Sequence, residues 1–250
     1  MAQNNVEYNV VEEAKAYVTL SGVQYPRPKV YAERFLEVMG IQANECRYEL
    51  QGKVENANED NTINSAYARL LIETQMNFDT EELKKTVGLV IALDTAKPTL
   101  RAYTGSRVFA CSNLALVGAE NVFSCDPMVN MENAFTTIRG YKDNAETEFR
   151  KQLEFYQNCK TTNWSSEEVN RKLGRLLELV CRENRYSKLG TTPITTAAKL
   201  MYTRGTPYEI KENLTTAWNV YNAVTQSLTN TNDFVTTPIK TQIISNLILN

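Results

Sequence analysis

The chain has 250 residues, of which 27 are basic, 29 are acidic and none is histidine. The absence of imidazole excludes Ser-His-Asp and Cys-His nucleophile systems and the HExxH zinc site, and with them most common hydrolase mechanisms. No stretch reaches the roughly 18 uncharged apolar residues that a membrane span needs. Residues 1–17 are polar and acidic, unlike a secretory signal, so we expect the protein to stay in the cytoplasm that makes it, or in a particle assembled there.

The five cysteines are scattered, odd in number and without a CxxC pair. We expect small buried residues in a reducing compartment rather than a disulfide framework or a zinc site. The adjacent acidic pairs lack the spacing of metal ligands, and the sequence has neither a Walker A loop nor a GxGxxG motif. The sequence therefore predicts no metal and no cofactor.

The first 125 residues predict a helix followed by a sheet. After a polar lead-in, the apolar spacing of Tyr31, Phe35 and Val38 predicts a helix that ends at Gly40. Four stretches rich in β-branched and aromatic residues then predict an antiparallel meander, with strands at 47–54, 67–78, 86–93 and 100–116. The run 87–93 is apolar throughout, so its strand should be central and covered on both faces.

Beyond Pro127 the pattern is helical. Ser165 and Glu168 form a capping box in front of the clearest apolar stripe. Further helices are predicted around 149–156, 192–202, 214–228 and 239–248. Because strands come first and helices second, the order favours an α+β fold over alternating α/β. We expect a single α+β domain over 1–250, made of a lead-in at 1–26, a helix plus β-meander at 27–125 and a helical part at 126–250.

Two stretches resemble a known family. One is 100–114, in which Cys111-Ser112-Asn113 follows a strand, and the other is 217–225, with Trp218, Tyr221 and Asn222. In their order and spacing they resemble the phage/plasmid-like protein family, a domain of unknown function, over roughly residues 80–230. The resemblance implies a phage or plasmid origin, and hence the cytoplasm of a host bacterium or a virion. It implies no enzymatic activity, and many relatives carry histidines that this chain lacks.

Arg101, Tyr103 and Arg107 share one face of the predicted strand at 100–116, because their spacing is even. Two guanidinium groups with an aromatic ring between them suit a single-stranded nucleic acid, with phosphates on the arginines and a base on the tyrosine. The alternative is an ordinary solvated sheet face. For Cys111-Ser112-Asn113 the alternatives are an anion-binding nest and a plain strand end.

Two helical segments are basic. Arg139 and Lys142 lie in the first, whose start Gly140 should break, and four arginines recur at helical spacing in the second: Arg171, Arg175, Arg182 and Arg185. This second row lies opposite the apolar stripe and could follow a phosphate backbone. The alternative is the wet face of an amphipathic helix. Trp218, Tyr221, Asn222 and Thr225 also share a helix face, which we expect to lie in the core or in an interface.

These patterns favour binding over catalysis. The leading hypothesis is a non-enzymatic mobile-element protein that binds or anneals single-stranded DNA and forms a homo-oligomer. The first alternative is a phage structural or assembly protein, whose apolar C-terminal stripe at 239–249 would dock on a neighbouring subunit. The second alternative is a counter-defence binding protein, supported only by the implied phage origin.

Overall fold

The computed structural model describes residues 5–57, 63–78, 83–108, 114–115, 122–229 and 234–249. The fold is α+β, as predicted: an antiparallel sheet comes first and a helical half follows. The strands are β1 Asn5–Val6, β2 Cys46–Ala57, β3 Ile63–Met76, β4 Leu83–Ala92, β5 Thr99–Val108, β6 Leu114–Ala115, β7 Val122–Cys125, β8 Asn163–Ser165 and β9 Leu214–Thr216. The helices are α1 Tyr8–Glu13, α2 Pro28–Met39, α3 Met131–Asp143, α4 Ala145–Thr161, α5 Ser166–Arg182, α6 Thr192–Met201, α7 Ala217–Thr229 and α8 Thr237–Ile244. A π-helical turn, Ser245–Leu249, follows α8.

The chain divides into two compact units. The first comprises Met1–Asn77, Lys85–Thr104 and Val122–Ala145, and the second comprises Phe78–Lys84, Gly105–Asn121 and Glu146–Asn250. Neither unit is one continuous segment, and strands β4 and β5 contribute residues to both. The single domain over 1–250 stays a prediction.

In the first unit, helices α2 and α3 pack against one face of the sheet. The strand order is β1-β2-β3-β4-β5, and β7 pairs with the first half of β5. Alternating residues of β2 to β5, such as Leu50, Ile72 and Leu89, point into a core that also holds Phe35 of α2 and Phe135 of α3. This core forms because period-2 strands and period-3.6 helices each present one apolar side to it.

Strand β4 is buried on both faces, which confirms the prediction from its unbroken apolar run. Val87, Leu89 and Ile91 face the first core, and Val90 and Ala92 on the other face are also fully buried. A central strand covered on both sides leaves its neighbours little exposed surface. Several polar residues of β3 and β5 beside this strand are therefore buried as well.

The second unit is built around α5, α6, α7 and α8. Val169, Leu176, Val220 and Ile244 are among the residues buried in its core. Strands β8 and β9 pair across residues Asn163–Ser165 and Leu214–Thr216 and precede α5 and α7 directly. The predicted core face of α7 is confirmed at three positions, since Tyr221, Asn222 and Thr225 are buried, whereas Trp218 is half-buried.

Several local predictions were wrong. Gly140 does not break α3, which runs through it to Asp143. The strand predicted at 100–116 is β5 followed by the separate β6, and residues 109–113, including Cys111-Ser112-Asn113, lie outside the described ranges. The lead-in contains β1 and α1, elements too short to show a period. Leu214 belongs to β9 rather than to the following helix.

The turn before β9 holds two left-handed residues that are not glycine. Glu212 has a φ of 51° and Asn213 a φ of 63°. Lys211 and Leu214 exchange backbone hydrogen bonds of 3.2 and 2.9 Å across them. These are features of a type I′ hairpin turn, in which Asn-Gly is the preferred central pair.

We expect the double substitution Glu212→Asn and Asn213→Gly to raise the free energy of unfolding by about 0.5–1 kcal/mol, because it removes left-handed strain at an exposed turn. Urea denaturation measures this change. Glu212→Val is the matched opposite, since a β-branched residue tolerates positive φ poorly, and it should lower the same free energy. Stabilisation by Glu212→Val would contradict the assignment of the turn.

Candidate nucleic-acid interface

The apolar stripe of α5 fixes which side of that helix faces outward. The hydroxyl of Ser165 caps the helix by accepting a hydrogen bond of 3.2 Å from the backbone N–H of Glu168. Val169, Leu173, Leu176 and Val180 are buried in the second core. The opposite side is therefore free of packing constraints, as the sequence predicted.

Three of the predicted arginines form an exposed row on that outward side. The exposed side-chain fractions are 70% for Arg171, 62% for Arg175 and 76% for Arg182. On an α-helix these positions lie within about 40° of one another around the axis. Three guanidinium groups thus point into solvent from one narrow strip, which we name the arginine row.

Each member of the arginine row pairs with a carboxylate of its own helix. Arg171 lies 3.4 Å from Glu168, and Glu178 accepts hydrogen bonds from Arg175 at 2.7 Å and from Arg182 at 2.6 Å. The hydrogen bond from Arg175 is the main reason that the pKa of Glu178 is lowered. Exposed ion pairs of this kind contribute little free energy, so another anion can compete with the glutamates for the guanidinium groups.

Lys172 of α5 does not belong to the arginine row. Lys172 turns inward: its Nζ donates to the carbonyl of Ile248 at 3.2 Å and lies 5.1 Å from the centre of the Trp164 ring. Arg185 was predicted to continue the row, but α5 ends at Arg182, and Arg185 lies in the following 3-10 helix, 184–189. The change of helix type breaks the spacing on which that prediction depended.

Arg139 and Lys142 lie on α3, in the first unit. Arg139 is exposed, as an interface residue must be. Lys142 is partly buried, and its Nζ lies 3.3 Å from the carbonyl oxygen of Val38 near the end of α2. A lysine placed at a helix C-terminus satisfies a free carbonyl and favours the helix dipole, so the local role of Lys142 is structural.

The residues predicted to form a solvated face on β5 are mostly buried. The Tyr103 side chain is 1% exposed, Arg101 is 9% exposed, and Arg107 is partly buried. The strand geometry confirms the shared face, but the predicted solvent exposure is wrong, because β5 is buried on both faces between Leu100 and Thr104. Tyr103 cannot stack a base in this conformation.

A buried polar cluster occupies that face instead, and sequence reasoning missed it. The hydroxyl of Tyr103 donates to the Glu73 carboxylate at 2.5 Å. A side chain on Gly88 would collide with the Tyr103 ring, so the ring crosses β4 over this glycine. Glu73 lies opposite both Gly88 and Arg47 in the strand register. These residues come together through the register of the strands, which could not be predicted from the sequence.

The described cysteines differ in their burial. Cys46, Cys125, Cys159 and Cys181 are free thiols. Burial raises the pKa of Cys46 and of Cys159 to about 11, so both stay protonated at neutral pH. Cys181 is exposed, contrary to the prediction that the cysteines are buried. Within the described ranges, no three Cys, Asp or Glu side chains come together to hold a metal ion.

Of the helices in the described ranges, none combines the length and the apolar composition needed to cross a membrane. Comparisons of the chain with protein-family models, with curated proteins and with solved structures found no match. The resemblance to the phage/plasmid-like protein family therefore stays a prediction.

We expect Tyr103→Phe to lower the free energy of unfolding by about 1–3 kcal/mol, because it removes a hydrogen bond from the buried carboxylate of Glu73. Chemical denaturation measures the loss. Tyr202→Phe is the matched control: Tyr202 also donates a hydrogen bond, to Asn170 at 2.7 Å, but as a whole residue it is 52% exposed. A change within about 0.5 kcal/mol is expected there. Equal effects of the two substitutions would contradict the structural role of Tyr103.

Proposed function

We propose that this chain is a non-enzymatic nucleic-acid-binding protein of a phage or plasmid, and that it binds single strands through the arginine row of α5. The observation that carries the proposal is the exposure of Arg171, Arg175 and Arg182 on one strip of a rigidly packed helix. The residues of β5 no longer support it, because Arg101 and Tyr103 are buried.

The distribution of charge favours the second unit for this role. It contains 15 basic and 14 acidic residues, whereas the first unit contains 12 basic and 15 acidic residues. An attractive patch depends on the local arrangement more than on the net charge, and α5 supplies the densest exposed row. Along the helix axis the three arginines are separated by about 6 Å and about 10.5 Å.

Phosphate contacts of this type give binding that does not depend on the base sequence and whose affinity decreases as the salt concentration rises. Each phosphate neutralised on a single strand contributes about −0.7 to the slope of log K against log salt. Three contacts therefore predict a slope of about −2. The intrahelical carboxylates Glu168 and Glu178 compete with the phosphates for the same guanidinium groups, which keeps the affinity modest.

The alternative of a phage structural or assembly protein was based in part on the apolar C-terminal stripe. The C-terminal stripe was expected to dock on a neighbouring subunit, but Ile243, Ile244 and Ile248 are buried in the core of the second unit. The stripe is thus used within its own chain. No described residue gives specific support to the counter-defence alternative, and homo-oligomer formation remains an expectation.

We expect the triple variant Arg171→Gln, Arg175→Gln and Arg182→Gln to bind a labelled single-stranded oligonucleotide about tenfold or more weakly at about 50 mM salt, and to lose most of the salt dependence. Fluorescence anisotropy at several salt concentrations measures both. The matched control is Arg150→Gln with Lys151→Gln on α4, two exposed cations that are also paired with glutamates of their own helix. The control should bind like the natural chain. Absence of binding by the natural chain at low salt would refute the proposal.

We expect Glu178→Gln to strengthen binding, in contrast to the triple arginine variant. It removes the carboxylate that accepts from both Arg175 and Arg182, so these arginines become available to phosphates and the affinity should rise a few-fold. The same titration measures the change. An unchanged or lower affinity, with an unchanged melting temperature, would show that the arginine row is not the binding surface.

A further inference from the structure

Tyr202 presents an exposed aromatic ring beside α5. It directly follows α6, which is anchored in the second core by the buried residues Ile194, Ala197 and Met201. Tyr202 as a whole residue is 52% exposed. Its hydroxyl donates to Asn170 at 2.7 Å and lies 3.5 Å from the carbonyl oxygen of Ser166, both on α5. The ring is thus fixed at its backbone and at its hydroxyl, and still faces solvent.

Gly174 is a second unexplained feature of the same surface. It lies in the middle of α5, it is exposed, and a Cβ placed on it would meet no atom within 4 Å. Glycine is the poorest helix former after proline, so neither helix propensity nor packing accounts for it. Close approach of a ligand to the helix backbone is a reason to keep glycine at such a position.

These features adjoin the arginine row. Asn170 and Gly174 are four residues apart and share one stripe of α5. Arg171 and Arg175 each follow one residue later, about 100° further around the helix. The anchored ring of Tyr202, the shallow surface at Gly174 and two exposed guanidinium groups are therefore neighbours on one side of the second unit.

We propose that Tyr202 stacks a nucleobase of a single strand whose phosphates lie on Arg171 and Arg175, and that Gly174 leaves the space in which the sugar and base approach α5. This inference rests on the function proposed above and names the feature that selects single strands. An unpaired base offers a free face to an aromatic ring, whereas the bases of a duplex are already stacked. Stacking also tolerates any base, so sequence preference should be weak.

The first test separates base from phosphate recognition. Anisotropy titrations at low salt use a labelled oligonucleotide of about 15 nucleotides and an abasic strand of the same length. We expect Tyr202→Ala to weaken binding of the base-bearing strand about tenfold to a hundredfold, and to leave binding of the abasic strand unchanged. Tyr202→Phe keeps the ring and should retain most of the affinity. The triple arginine variant should weaken binding of both strands.

The second test excludes a loss of folding as the cause. Gly174→Leu fills the shallow surface next to Tyr202 while it improves helix propensity. It should raise the melting temperature and still weaken binding of the base-bearing strand. Leu214→Ala is the matched control, because Leu214 is an equally exposed large side chain of the second unit, at 54%. It should leave the affinity for both strands unchanged.

The outcomes distinguish this inference from the function on which it rests. If Tyr202→Ala binds both strands like the natural chain, and the arginine variant does not, the stacking role is wrong and the phosphate-binding role stands. If the natural chain prefers a duplex of the same length, the stacking role is also wrong. If the natural chain binds neither single strand at low salt, both proposals are refuted.

Discussion

Burial of the apolar stripe of α5 is the interaction on which the candidate surface depends. Each large aliphatic side chain that leaves water stabilises the fold by about 1.5–3 kcal/mol, and Val169, Leu173 and Leu176 do so on the same side. The intrahelical ion pairs of the opposite side contribute far less, because water screens them. Packing therefore sets the rotation of the helix about its axis. The outward direction of the arginine row follows from that rotation and does not depend on its pairing with Glu178.

In the first unit, burial of apolar residues has the opposite effect on polar side chains: it places them inside the protein instead of exposing them. From Val87 to Ala92, β4 carries no polar side chain, and both of its faces are buried. Polar residues on neighbouring strands then become buried, and they must find partners inside the protein because an unsatisfied buried group is costly. Tyr103 and Glu73 satisfy one another in this way, across a glycine that leaves room for the ring. Alternating polar residues on a strand therefore do not indicate a solvated face when the strand lies next to the buried centre of the sheet.

Most of the fold could be predicted from periodic and local patterns in the sequence. The α+β order, the helix stop at Gly40, the cap at Ser165 and the central position of β4 all depend on residues close together in the chain, and all were predicted correctly. The missed features depend on contacts between distant residues. Glu73 and Tyr103 are 30 residues apart, and Asn170 and Tyr202 are 32 apart. The sequence predicted a row of four arginines on one helix, but α5 ends at Arg182 and Arg185 lies in the 3-10 helix that follows. Periodicity alone does not indicate that end.

The arrangement of charges on α5 bears on how a weak cationic row could still select its ligand. Glu178 lies between Arg175 and Arg182 and neutralises part of their charge, so the row attracts polyanions only modestly. A surface of high positive charge would bind duplex and single strand alike, because both present phosphates. Where electrostatic attraction is kept low, a contribution from stacking becomes a larger share of the total binding free energy. If Tyr202 stacks a base as proposed, the glutamates that neutralise the row would increase the share of the binding free energy that comes from stacking. Under the proposed function, discrimination between single strand and duplex would depend on that ring, and the arginines would position the backbone next to it.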